Sequence, residues 1–146
     1  RERGYATALR KAGLTQDPQL RSFGYFTVAG GEQAMTGLLA HAQPPTAVFA
    51  ASDEMAFGAI RALRRHGLRP GQDVAVVGVD GHDLSDLLDL TTVTQPVRDF
   101  GRMAAEALLA QLQLPMAERS RVAQATVVPT TLVVRSSTVP VLLAES

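Results

Sequence analysis

Three corners of the chain, Phe26-Thr27, Ser52-Asp53 and Asp80, put polar side chains and one aromatic ring where apolar runs break off. A carboxylate accepts hydrogen bonds from hydroxyls, and a flat ring packs on C–H faces, so the set suits a small hydroxyl-rich ligand. The same residues have a plainer use, with Asp53 and Asp80 as turn residues and Phe26 as core. Ser52 also stands where a helix N-cap belongs, and Asp53 and Glu54 bring negative charge to the first turn after it. Catalytic groups are not apparent. The chain has no cysteine, and His41, His66 and His82 are scattered, without metal-ligand spacing. A phosphate-binding glycine loop, a G-x-S-x-G elbow and an H-E-x-x-H pair are all missing from the sequence. We therefore assign no catalytic residue, no metal and no cofactor.

These corners need elements to hold them, and the hydropathy pattern supplies an alternation of strands and helices. Residues 1–11 read as a helix stopped by Gly13, 21–27 as a strand, and 31–41 as a helix with Ala34, Met35 and Leu38 inward. Residues 46–51 read as a strand covered on both faces. They lead through Ser52 into a helix over 53–66, with Ala56, Ala59, Ile60 and Leu63 inward and Gly67 as its stop. A turn at Pro70-Gly71 precedes a strand over 74–79 that delivers Asp80. A short helical turn over 83–89, a short strand over 91–94 and an amphipathic helix over 97–113 follow. Edge strands are expected within 126–135, where Pro129 cannot donate to a ladder, and a frayed tail from 139. The alternation predicts an α/β fold, a doubly wound, mainly parallel sheet flanked by helices. In such sheets ligands meet the carboxyl ends of the strands, where the three corners lie. A chain that opens on a helix, with no strand before it, is expected to be part of a longer domain.

Composition excludes several classes. Lys+Arg and Asp+Glu each total 14 of 146 residues, leaving no basic field for nucleic acid. Apolar runs stay short of the roughly 18 residues that span a bilayer, so no membrane partner is expected.

The segments R-E-R-G-Y (1–5), F-T-V-A-G-G (26–31), P-T-A-V-F-A-A-S-D-E-M-A-F-G-A (45–59), D-V-A-V-V-G-V-D (73–80), L-T-T-V-T-Q-P (90–96) and L-V-V-R-S-S-T-V-P (132–140) stand in an order and spacing that resemble LacI/GalR-family transcriptional regulators. The likeness falls on the C-terminal part of their periplasmic-binding-protein-like effector domain. It implies a cytoplasmic regulator, most often a repressor, with a cleft between two subdomains for a small sugar-like or nucleobase-like effector. Operator DNA would be bound through an N-terminal headpiece outside this sequence. Carried over by residue, the resemblance implies ligand contacts from Arg1, Phe26, Ser52, Asp53, Asp80 and Gln95. Ser52 departs from the family's usual Asn, and a hydroxyl cannot reproduce an amide's donor and acceptor pair. Residues 1–95 and 126–138 would form one subdomain, 96–114 a crossover helix belonging to the other, and 139–146 a flexible tail. The rival classes are a solute-binding component of a transporter and an α/β metal-dependent enzyme using Asp53 and Asp80.

Two apolar surpluses point to assembly. Phe57 precedes Arg61 and Arg64 by four and seven residues, which puts its ring on the polar side of the 53–66 helix. With Leu84, Leu87 and Leu88 it is expected to form a two-fold homodimer interface, as the resemblance implies. The stripe Phe100, Met103, Ala104, Ala107, Leu108 and Leu112 on the 97–113 helix likewise needs a partner.

Overall fold

The computed structural model describes residues 1–116, 119 and 125–139. The described residues divide into two compact units, 1–94 with 132–139, and those within 95–131.

In the first unit, β1 (Ala47–Phe49), β2 (Ala75–Asp80), β3 (Thr91–Thr94) and β4 (Thr131–Val133) stand in that order across one sheet. β2 pairs in parallel with β1, Ala47 beside Ala75, and with β3, Val77 beside Thr91. The apolar run of β2 follows from this central place, with Val76 and Val79 both buried. β1 departs from expectation. Among the described residues it is an edge strand, with Ala47 exposed and Val48 and Phe49 only half-buried, because none of the described strands pairs with its outer side. The ring of Tyr5, from helix α1 (Glu2–Lys11), stacks on Phe49 with centroids 5.4 Å apart.

Two helices make the core on this sheet. α2 (Val28–Leu39) supplies Met35 and Leu38, and α3 (Asp53–Arg65) supplies Ala56, Ala59, Ile60 and Leu63, at the helical spacing read from sequence. Glycine lets the two approach closely. A Cβ on Gly58 would stand 2.0 Å from the Val28 carbonyl oxygen, and one on Gly31 would stand 2.2 Å from that of Met55. Glu32 of α2 forms ion pairs with Arg65 and, at 3.5 Å, with Arg61 of α3.

Residues 21–27 do not form the expected strand. Tyr25 and Phe26 take left-handed backbone with φ of 50° and 56°, which ends any extended run. Thr27 then caps α2, its hydroxyl accepting from the Gly30 N–H at 3.0 Å, so the helix starts three residues before the predicted Gly31. The short helix α4 (Leu84–Leu87) falls within the predicted helical turn.

The R-S-S-T segment stitches the sheet from below. Ser137 donates its hydroxyl to the Val76 carbonyl at 2.6 Å, accepts from the Thr91 N–H at 2.8 Å, and its own carbonyl accepts from the Val76 N–H at 2.7 Å. Arg135 donates to the Leu90 carbonyl at 2.8 Å and pairs with Asp86. Residue types that read as polar surface are thus the clasp between β2 and β3.

The second unit holds α5 (Val97–Gln113), amphipathic as predicted, with none of its residues buried. Of the predicted tail 139–146, all but residue 139 lies outside the described residues.

Candidate functional site

The corner after β1 is built by Ser52. Its side chain accepts from the Met55 N–H at 3.2 Å, capping α3, and it is buried. This corrects the expectation that Ser52 faces a ligand: the hydroxyl is held inside by the helix it starts. Asp53 needs a stronger correction. It is 0% exposed, and its Oδ2 accepts from the His82 N–H and the Ser85 hydroxyl, both at 2.8 Å. Its Oδ1 accepts from the Thr92 hydroxyl at 2.6 Å, which in turn accepts from the Gly81 N–H at 3.3 Å. Each carboxylate oxygen is therefore engaged by protein donors, as burial of a charged group requires. Asp53 braces the start of α3 against β3 and the loop after β2, beneath the corner and out of reach of a ligand.

Arg1 and Asp80 form the exposed chemistry at this edge. The guanidinium of Arg1, at the start of α1, pairs with the Asp80 carboxylate and donates to the Ala51 carbonyl, one residue before the Ser52 cap. A second contact runs from Nη1 to Oδ2 at 3.4 Å. Both side chains stay about a third exposed, 34% and 31%. Asp80 has φ 137°, a conformation that L residues rarely adopt, at the point where β2 runs out. A planar five-donor fork beside a carboxylate acceptor can hold vicinal hydroxyls through both partners.

On the other flank of the same corner lies the aromatic loop. A Cβ on Gly24 would stand 2.8 Å from the Met55 Cε, so residues 24–27 sit against the first turn of α3. Phe26 is 62% exposed, so it is not a core residue. Its neighbour Tyr25, which the sequence reading passed over, is 80% exposed. Left-handed backbone costs about 1–2 kcal/mol at each such residue, and here it holds two aromatic rings out from the chain. Ser85 and Thr92 were also missed, because their partner Asp53 lies 32 and 39 residues away and no local pattern joins them. Gln95 begins the second unit.

The dimer residues separate as well. Phe57 is buried, 8% exposed, with its ring edge-on to the His82 imidazole at 5.5 Å. The loop after β2 folds over it, which a helical wheel of α3 alone does not show. Leu84 and Leu87 are exposed, and Leu88 packs on the core. Among the described residues, no three His, Cys, Asp or Glu side chains gather into a metal site. No helix there is long and apolar enough to cross a membrane.

The chain matches the periplasmic binding protein-like domain over residues 1–138. It is 45% identical over 115 residues to the HTH-type transcriptional repressor CytR of Escherichia coli (strain K12), covering 77% of this chain and 34% of that one. The chain thus spans well under half the length of this curated relative. Among solved structures, it superposes on a LacI family transcriptional regulator from Enterococcus faecium with bound ribose, with TM-score 0.80 and 31% identity over 94% of this chain and 50% of that one. It superposes on the CelR–cellobiose complex of a transcriptional regulator with TM-score 0.82 and 39% identity, over 92% and 40% of the two chains.

Proposed function

The chain belongs to the periplasmic binding protein-like domain family, in the branch formed by LacI/GalR regulators, and from that premise we propose that it senses a small sugar-like or nucleobase-like effector for a cytoplasmic transcriptional repressor. The observation that carries this reading is the partly exposed Arg1–Asp80 pair at the carboxyl end of β2, with Phe26 exposed on the loop that packs against the first turn of α3. Hydroxyls of the effector divide the guanidinium and carboxylate between them, and the Phe26 ring covers an apolar face of the ligand. Two solved relatives carry ribose and cellobiose, ligands of that chemistry. Residues 1–95 with 126–138 are assigned to one subdomain of such a sensor, and the helix 97–113, whose residues are all unburied, to the other.

Operator DNA is bound by a helix-turn-helix headpiece outside these 146 residues, whose 14 basic and 14 acidic side chains leave no excess positive charge. The repressor works as a two-fold dimer. We take its two-fold face to include the groove of about 460 Å³ lined by Val28, Phe57, Ile60, Leu88 and three arginines of α3. Leu84 and Leu87 supply its exposed apolar contacts, and Phe57 supports it from below.

The test is a gel shift with the intact protein on DNA upstream of its own reading frame, titrated with ribose, cellobiose and free nucleobases. A ligand that loosens or tightens the complex, with the effect lost in Asp80→Ala, supports the reading. A complex indifferent to every ligand at millimolar concentration sinks it.

A further inference from the structure

The short helix α4 is started by an imidazole. Asp83 stands at its cap position and makes no capping hydrogen bond. His82, one residue earlier, takes that role: its Nδ1 accepts from the Leu84 N–H at 3.0 Å, and its carbonyl accepts from the Ser85 N–H at 2.8 Å. The same ring stands edge-on to Phe57 with centroids 5.5 Å apart, so one side chain both starts α4 and covers the aromatic of α3. The rest of the loop hangs on Asp53, through the His82 N–H and the Ser85 hydroxyl, and on Thr92, through the Gly81 N–H. Among these acceptors the imidazole belongs to the class that changes charge between about pH 5 and 8.

A ring nitrogen that accepts from a backbone N–H carries no proton, so the neutral imidazole keeps its proton on Nε2. A second proton would turn Nδ1 into a donor and set it against the Leu84 N–H. His66 meets the opposite demand. Its Nδ1 lies 2.8 Å from the Ala62 carbonyl, which accepts only from a protonated nitrogen, so acid leaves that contact in place. Around His82 the charges give a protonated ring somewhere to turn. A polar recess of about 260 Å³ is lined by His82 together with Asp83 and Asp86 of its own segment, Thr92 and Thr94 of β3, and Arg135. Arg135 is paired with Asp86 at 3.3 Å, and Asp80, two residues before His82, is held by Arg1. Asp53, on α3, has both oxygens engaged. Asp83 is the carboxylate of the recess that has no ion pair among the described residues.

We propose that His82 is an acid-sensitive latch on α4. Protonation at Nδ1 ends its hold on the Leu84 N–H, turns the ring from Phe57 toward Asp83, and loosens the first turn of the helix. The latch stands apart from the effector reading. Its consequence for assembly rests on the two-fold reading above, because Leu84 and Leu87 lie on the helix that it releases.

Amide-resolved hydrogen exchange on the intact protein, corrected for the intrinsic pH dependence of exchange, tests the latch at about pH 7.5 and about pH 5.5. His82→Asn keeps an acceptor for the Leu84 N–H in an Asx turn and does not titrate, whereas His82→Ala has no acceptor at either pH. Protection of the Leu84 amide is expected to fall about tenfold in acid in the wild type and to change less than about twofold in His82→Asn. In His82→Ala it is expected to be low at both pH values. Unchanged protection in the wild type overturns the latch, as does a His82→Ala variant as protected as the wild type. An equal acid loss in His82→Asn also overturns it and assigns the effect to a carboxylate of the loop. Sedimentation under the same conditions reads the consequence, with the wild-type dimer expected to shift toward monomer in acid and the His82→Asn dimer to persist. A wild-type dimer that persists while Leu84 protection falls upholds the latch and moves the two-fold contact off α4.

Discussion

The Asp53 carboxylate lies so close over Gly78 that a Cβ there would stand 2.2 Å from Oδ1. One strand residue is therefore bare so that one helix residue can reach across to Thr92, and the arrangement leaves no room for adjustment. Gly78→Ala is expected to lower stability by about 2–3 kcal/mol, since the new methyl must displace a fully bonded carboxylate or the Leu90 side chain 3.0 Å away. Asp53→Ala is expected to cost about 3 kcal/mol by leaving the Ser85 and Thr92 hydroxyls and the His82 N–H without their acceptor. Urea denaturation followed by circular dichroism measures both. A midpoint unchanged in either variant would show that Asp53 is dispensable to the fold.

How much of this was legible in the sequence depends on how local each cause is. The start of α3, its Ser52 cap and the inward Ala56, Ala59, Ile60 and Leu63 follow from spacing within 15 residues, and the structure keeps these. The parallel sheet was equally legible, because β2 is apolar on both faces. The partners of Asp53 were not, being held by pairing between distant segments. The loop 21–27 failed for another reason. Aromatic residues favour strands on average, yet Gly24, packed on Met55, and the Thr27 cap of α2 override that preference. Phe57 was misplaced because the loop after β2 covers a helix face that sequence alone leaves open.

Arg1 gives a prediction on affinity. Its guanidinium holds Asp80 and the Ala51 carbonyl at once, a planar arrangement that an ammonium cannot reproduce. Arg1→Ala in the intact protein is expected to weaken effector binding about 10- to 100-fold, or roughly 1.4–3 kcal/mol, with Arg1→Lys recovering only part. Calorimetry with the ligand that shifts the DNA complex reads this directly. Wild-type affinity in Arg1→Ala would remove Arg1 from the site.

The turn before β2 should titrate in acid. Asp73 accepts the Arg69 N–H at 2.7 Å and the Arg69 Nε at 3.3 Å, and the backbone hydrogen bond, ahead of the side-chain one, holds its carboxyl below the ordinary 3.8. A depressed folded value means that this contribution is present above 3.8 and is lost as pH falls through the lower folded midpoint. Carbon-detected NMR titration is expected to place the Asp73 midpoint under 3.8, and Asp73→Asn to flatten the stability profile in that acid window. A midpoint at or above 3.8 contradicts the assignment.

The last prediction separates folding from assembly in the proposed two-fold face. Phe57 is 8% exposed and packed edge-on against His82, whereas Leu87 is 76% exposed on α4. Phe57→Asp buries a charge without a partner and removes core contacts, so it is expected to cost about 3–5 kcal/mol and to lower the melting temperature before any effect on assembly can be read. Leu87→Asp touches no core, and its stability is expected to stay within about 0.5 kcal/mol of wild type. In an isologous interface each substitution occurs on both subunits, and a carboxylate facing an apolar patch from both sides weakens the dimer. Sedimentation of the intact protein is therefore expected to show a dimer in the wild type and a shift toward monomer in Leu87→Asp at matched thermal stability. An undisturbed dimer in Leu87→Asp, or a monomeric wild type, places the two-fold contact on another surface.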